Sequence, residues 1–462
     1  MTTPLPLAVL SAAGLLWLAA GAVAGLIVLV ARFRCNAFIA LVLASLAVGL
    51  GSGMPLVAQG GRPGVVESLE SGVGRTLGSL ALIIGLGTIL GKLLAESGAA
   101  EVIADRLVRL LGEARLDYAV MLVAFVVGIS VFFGVGVMLL GPLAFLLARR
   151  SGTPILRLAL PLAAGLSTAH GLIPPHPGPM AAIATIHADV GRTILWSLVI
   201  GLPTALVTGP LLARWLAPRV PVELGGLGAA STAVPAAPRR PSLAVSLFTL
   251  LLPVLLMLAA TVADLSPLAR EHPLRLWLAL LGTPAVAMLV AVLVAFWTFG
   301  YRCGLTGAQL LRMSEECVGP AAGILLVIGA GGGFSAVLNA SGVGAAIGEI
   351  GARAPVSPLL LGWLIAGLLR VAVGSATVAV MMAASLMAPI LAVRPDTNRE
   401  LLILAMGAGS LLLSHVNDSG FWFVKEYFGL TVPQMFRTWT IVETGIGVVA
   451  IILLLLANAI AG

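Results

Sequence analysis

Apolar residues fill almost the whole chain, in stretches of about the 20 residues that a bilayer-crossing helix needs. Such stretches fall near 7–31, 36–58, 76–95 and 193–217, and again near 242–263, 275–299, 319–338 and 434–460. Between 96 and 117 the pattern changes. Glu101, Asp105, Arg106, Arg109 and Glu113 are interleaved with apolar positions there, which predicts an amphipathic connector. Two runs, 118–148 and 357–393, are too long for one comfortable span, and small residues interrupt them. The first breaks around Gly128, Gly134 and Gly136, the second around Gly374 and Ser375. Each predicts a re-entrant hairpin. Two further runs, 157–188 and 400–430, carry polar residues at membrane depth and predict broken helices.

The sharpest break is Ser167 to Pro179. Pro174, Pro175, Pro177 and Pro179 stand so close together that a continuous helix cannot hold them. A freed backbone group in hydrocarbon costs several kcal/mol, so this break needs shielding by protein or a water-filled cavity. His176 lies among these prolines, and Pro174, Pro175, His176 and Pro177 are expected to shape the loop. Residues 218–241 are rich in Pro, Ala and Gly, close on Arg239 and Arg240, and predict a cytoplasmic linker, flexible or extended.

The two halves resemble each other. Leu93 to Ala100 matches Val337 to Gly344, and Gly85 and Gly87 match Gly329 and Gly331 at the same offset. At nearly that offset His170 falls against His415, and Gly128–Pro142 against Gly374–Pro389. Arg and Lys placement then orients each half. Arg32, Arg34, Lys92, Arg106, Arg109 and Arg115 fall on the cytoplasmic side, and so do Arg149, Arg150 and Arg157. Both ends of 118–148 are then on one side. The first half crosses an odd number of times, so the second is inverted and both termini lie outside. The expected fold is an all-α polytopic membrane protein with about ten transmembrane helices, two re-entrant hairpins and helices broken near the midplane. It divides into a repeat at 1–217, the linker, and an inverted repeat at 242–462, an arrangement typical of secondary transporters.

Composition supports the membrane assignment. Of 462 residues 60% are hydrophobic and 10% charged, against about 25% charged in soluble domains. The net charge of +7 comes from scattered basic residues that form no stripe, so nucleic acid is not an expected partner. Cys35, Cys303 and Cys317 have no metal or redox spacing. Residues 1–31 are expected to be a first transmembrane helix, not a cleaved signal, because no positive charge precedes a long apolar run.

Polar groups inside the membrane are where function is sought. Arg370 precedes the second hairpin tip and can bind a carboxylate in bidentate fashion; the alternative is snorkelling or an ion pair with Asp418. Ser375 and Thr377 offer hydroxyls beside exposed backbone N–H groups. Asp418 is the carboxylate of the second broken segment and a proton carrier if buried; the alternative is a helix cap. His170 is a proton candidate or a core histidine donating to a carbonyl. Lys425 and Glu426 read as a surface pair.

Several motifs resemble the gluconate permease family of bacterial sugar-acid:proton symporters, within the wider ion-transporter superfamily. They are Thr168 to Pro179, Ser414 to Trp422, Gly374 to Ala379, Gly78 to Leu82 and Gly91 to Gly98. The resemblance covers nearly the whole chain. It implies uptake of gluconate or a related hydroxy-carboxylate across the bacterial inner membrane, driven by protons. It also implies an elevator-like division into transport and scaffold domains. One position departs from the family, where the first hairpin tip usually reads Phe-Phe-Glu-Val-Gly. Here it reads Phe132-Phe133-Gly134-Val135-Gly136, and the acid is missing.

The expected substrate site comprises Thr168, His170, Gly171, Arg370, Ser375, Thr377, Ser414, His415, Asn417, Asp418 and Ser419. Asp418, His170 and His415 are the proton-coupling candidates, so neutralising Asp418 is expected to uncouple uptake from pH. The partners are a small organic anion, protons and the bilayer, with a homodimer as a candidate assembly. Neither cofactor nor metal is expected. The rival readings are a uniporter, exchanger or sodium-coupled carrier of another small carboxylate; a membrane metalloenzyme built on His170, His176, His415 and Asp418; and a passive channel. The metalloenzyme lacks a helical i, i+4 ligand pair, and the channel lacks a ring of like charges.

Overall fold

The computed structural model describes residues 10–59, 62–222, 237–266, 269, 271–353, 356–416 and 418–461. Among them the secondary structure is helical, without a β-strand. Nine helical stretches are long and apolar enough to cross a membrane, or ten if the bent pair Val65–Gly78 and Leu80–Glu96 is one span. The expected all-α polytopic architecture is therefore present.

Three predicted spans change. The stretch near 36–58 contains only the helix Ala37–Gly51. Gly53, at φ 79°, and Pro55 follow, and neither continues a helix. The stretch near 76–95 begins earlier, at Val65, because Glu67 bonds back to the amide of Gly64 and opens the helix there. The stretch 275–299 is two helices, Pro273–Gly282 and a second that starts at Pro284. Proline cannot donate to the preceding turn and keeps Thr283 extended, at ψ 126°. The connector is the helix Ala99–Leu111, with Ala99, Ala100, Ile103 and Ala104 on its buried face. Most of the predicted linker, 223–236, lies outside the described residues. Its end is tied down: Ala237 N–H donates to Glu96 O and Arg239 N–H to Cys303 O.

Four paired elements build the centre. The first hairpin is Leu116–Gly128 and Phe133–Ser151, and the second is Pro358–Val373 and Ala376–Val393. The first broken segment is Leu156–Leu172 and Pro177–Ile186. The second is Arg399–Gly409 and Ser419–Phe428, with no helix among the described residues between them. Packing crosses between the halves. The second hairpin's Ala376–Val393 lies on Pro177–Ile186, and the first hairpin's Phe133–Ser151 touches Ser419–Phe428. Phe145 and Phe428 stack there with ring centroids 5.5 Å apart. The long helices Val65–Glu96 and Val318–Ala340 cross closely: a Cβ at Gly72 would meet Gly332 O at 2.5 Å. The final helix, Trp439–Ala461, packs on both broken segments' first halves and on Pro358–Val373.

Candidate functional site

Each break is held by side chains from elsewhere. In the first, Ile173 to His176, the Pro174–Pro175 peptide is cis and Pro177 starts the next helix, where its missing N–H matters least. His176 contacts the Gly128 carbonyl through Nε2. Its Nδ1 lies 3.3 Å from His170 Nδ1. The proline loop is thereby fastened to the end of the first hairpin's first helix.

The second break spans 410–418 and is held by one face of the final helix. Trp439 Nε1 donates to Ser414 Oγ (2.7 Å), Thr440 Oγ1 to Ser414 O (2.6 Å), and Leu413 N–H to Thr444 Oγ1 (3.1 Å). Leu413 has φ 47°, a left-handed conformation that a branched residue keeps only when its surroundings impose it. Residues 439, 440, 443 and 444 share one helical face, so Glu443 is presented to the same break.

These elements enclose a cavity of about 360 Å³. Three helix N-termini open into it, at Phe133, Ala376 and Ser419. The first has no side-chain cap, and Ser375 caps only the amide of Val378 at the second. Free first-turn N–H groups carry partial positive charge and favour an anion. Arg370 adds a full charge. Its Nη2 is bonded to Asp418 Oδ2 and its Nη1 donates to Gly374 O. Gly374 sits at φ 77°, the left-handed helix end that glycine adopts without a steric penalty, and so turns its carbonyl to the guanidinium. Asp418 is engaged on every side. It accepts from Arg370, from Ser414 Oγ and, at 2.8 Å, from the amide of Gly420 as cap of its helix.

The cavity gathers His170, Arg370, Ser375, Thr377 and Asp418 from the expected set, together with Gly134. Ser414 stands behind Asp418 and does not line it. Thr168 is fully buried and points at the helix Val190–Leu206, where its methyl lies 3.5 Å from a Cβ built on Gly201. Gly171 is a crossing point of the two broken segments, its carbonyl pressed against Gly407. His415 is half-buried away from the cavity lining. Asn417 lies outside the described residues, and of Ser419 only the backbone is described. Lys425 and Glu426 form a pair at 2.7 Å, with Glu426 exposed. Among the described residues no three His, Cys, Asp or Glu side chains form a metal-holding group.

Sequence reasoning missed Ser167, Phe423, Trp439 and Glu443, all of which line the cavity. The available signal was the polar face Trp439, Thr440, Glu443 and Thr444 on an otherwise apolar helix.

The comparisons agree with this architecture. A family model described as GntP family permease matches residues 13–460. The chain is 46% identical over 437 residues to a gluconate permease of Pseudomonas aeruginosa, covering 94% of this chain and 96% of that one. It is 40% identical over 448 residues to the Gnt-II system L-idonate transporter of Escherichia coli, covering 96% and 99%. Among solved structures, the YdaH transporter of Alcanivorax borkumensis is similar in fold, with a TM-score of 0.67 and 17% identity over 92% of this chain and 98% of that one.

Proposed function

The chain belongs to the GntP family of permeases, and from this we propose that it imports gluconate or a related sugar acid across the bacterial inner membrane, coupled to protons. As a member of that family it is a membrane permease and not an enzyme. Relatives named for gluconate and for L-idonate favour a polyhydroxy-carboxylate, while another at 40% identity is named for D-serine. The observation that carries the reading is the cavity, where three helix N-termini and Arg370 meet the hydroxyls of Ser375 and Thr377. The N-termini and Arg370 suit a carboxylate, and the hydroxyls suit a polyol chain.

In this reading Asp418 positions Arg370 and caps its helix. Ser414 orients Asp418, and His176 with the prolines fixes the first break. Residues 1–217 and 242–462 act as inverted repeats with both termini outside, and the hairpins and broken segments, with the final helix packed on them, move as the transport domain of an elevator. The recurrence of hairpin, broken segment and long final helix in each half supports this division. A homodimer would supply the static scaffold.

The test is uptake of labelled gluconate into proteoliposomes under an imposed pH gradient, inside alkaline. Accumulation above equilibrium, competed by L-idonate, is expected. Equilibration without accumulation would leave a uniporter, and dependence on sodium would replace the proton.

A further inference from the structure

Glu443 is the cavity's one charged side chain that no other role absorbs. It is 1% exposed, lines the cavity from the final helix, and its Oε1 has no hydrogen-bond partner among the described residues. Arg370 is not bonded to it: its Nη1 and Nη2 are bonded to Gly374 and Asp418, and only its Nε is left without a hydrogen-bond partner among the described residues.

We propose that Glu443 carries the co-transported proton, and that its neutralisation is what admits the substrate anion. The inference rests on the reading of the chain as a proton-coupled importer of sugar acids. Its basis is electrostatic. A buried carboxylate with one oxygen unpartnered and the other met only by the Ser167 hydroxyl is costly to keep ionised. Two carboxylates in one poorly solvated cavity repel strongly. With Arg370 and Asp418 cancelling each other, an ionised Glu443 and a substrate carboxylate would compete for the same helix N-termini. A proton on Glu443 removes that competition and lets the acid donate to the substrate. The proton comes from the outer aqueous phase, stays on Glu443 while the anion is bound, and leaves to the inner phase with it.

The groups that face Glu443 fit this assignment. The loop before Ser419–Phe428 contributes Asp418 and Pro358–Val373 contributes Arg370. Leu156–Leu172 contributes the Ser167 hydroxyl and His170. The other helices packed on the final helix carry their charges at their ends: Arg192 on Val190–Leu206, Arg399 and Glu400 on Arg399–Gly409, and Arg437 on Val432–Arg437. His170 is a poorer carrier. It contacts His176, which is tied to the Gly128 carbonyl, and a charged His170 would feel the Arg370 cation. The vacancy at Gly134 also gains a meaning, because an acid remains in the cavity although the hairpin tip has lost one.

The experiment is calorimetric titration of the purified protein with gluconate, in buffers of different ionisation enthalpy, from pH 6 to 9. Wild type should take up about one proton per gluconate at the alkaline end. Glu443→Gln should still bind gluconate with no proton uptake. In proteoliposomes it should exchange gluconate but lose pH-driven accumulation by at least tenfold. Proton uptake that survives in E443Q, or gluconate binding by wild type without any, overturns the proposal. Should E443Q fail to fold, Glu443→Asp decides: a displaced pH midpoint of binding supports the proposal, and an unchanged profile overturns it. Wild type that neither binds nor transports gluconate sinks the substrate reading itself, a separate and recognisable failure.

Discussion

Arg370 and Asp418 face each other across two different breaks, the guanidinium from the end of one hairpin helix and the carboxylate from the start of a half-helix. Removing one partner of a buried pair leaves the other uncompensated, at a cost of about 3–5 kcal/mol. Asp418→Ala should therefore lower the melting temperature in detergent markedly and abolish uptake. Asp418→Asn, which keeps the shape and the cap, should lower stability less and leave the remaining uptake as pH-responsive as wild type. A pH-independent D418N would return the proton to Asp418.

Thr377 and Ser375 sit at one of the helix N-termini that line the cavity. Thr377→Val removes a hydroxyl worth about 0.5–1.5 kcal/mol. Gluconate affinity should fall about 2- to 10-fold, measured by ligand-stabilised melting, while stability without ligand barely changes. Ser375→Ala should also destabilise by about 1 kcal/mol through loss of the cap.

Gly134 has open space where a Cβ would stand, with nothing within 4 Å. Gly134→Ala should behave as wild type. Gly134→Glu should fold and place a third carboxylate in the cavity, beside Asp418 and Glu443. Its KM for gluconate should rise with pH more steeply than that of wild type, read from initial uptake rates between pH 6 and 8.

The connector gives a pH signature outside the membrane-spanning segments. Burial pushes the Glu101 carboxyl up, opposed in part by Arg240, and its Oε2 has no hydrogen-bond partner among the described residues. A carboxyl raised in the folded state favours folding below its unfolded value, and that contribution is lost as pH rises through the folded one. Glu101→Gln should therefore raise the melting temperature at pH 8 and leave it nearly unchanged at pH 4. An equal shift at both would assign the effect to packing.

The breaks were legible because their causes are chemical and local. Four prolines near His176 cannot all sit in one continuous helix, and Ser414 to Gly420 carries too many polar groups for hydrocarbon. The helix-rich, polytopic character followed from apolar run lengths alone. Rotational register was not legible. Successive helix residues point about 100° apart, so the cavity takes Ser167 and not its neighbour Thr168. Nothing local distinguishes the two. Gly171 sits in a functional-looking motif, yet its use is a close crossing with Gly407, 236 residues on in a sequence that cannot show the contact. Glu443 lies in a span with no break, so a search for interruptions passes over it. Only the second broken segment, folded against that face, reveals what it serves.

The self-contained pair of Arg370 and Asp418 has a bioenergetic consequence. In the proposed elevator those charges cancel within the transport domain and Glu443 travels with it on the final helix, so an empty carrier with Glu443 ionised bears the same net charge as a loaded one with Glu443 neutral and a monovalent anion aboard. Outward and return strokes then move equal charge in opposite directions. The complete cycle should be blind to membrane voltage and drawn by the pH difference alone, so that a cell with a collapsed membrane potential but an acidic exterior would still take up its substrate.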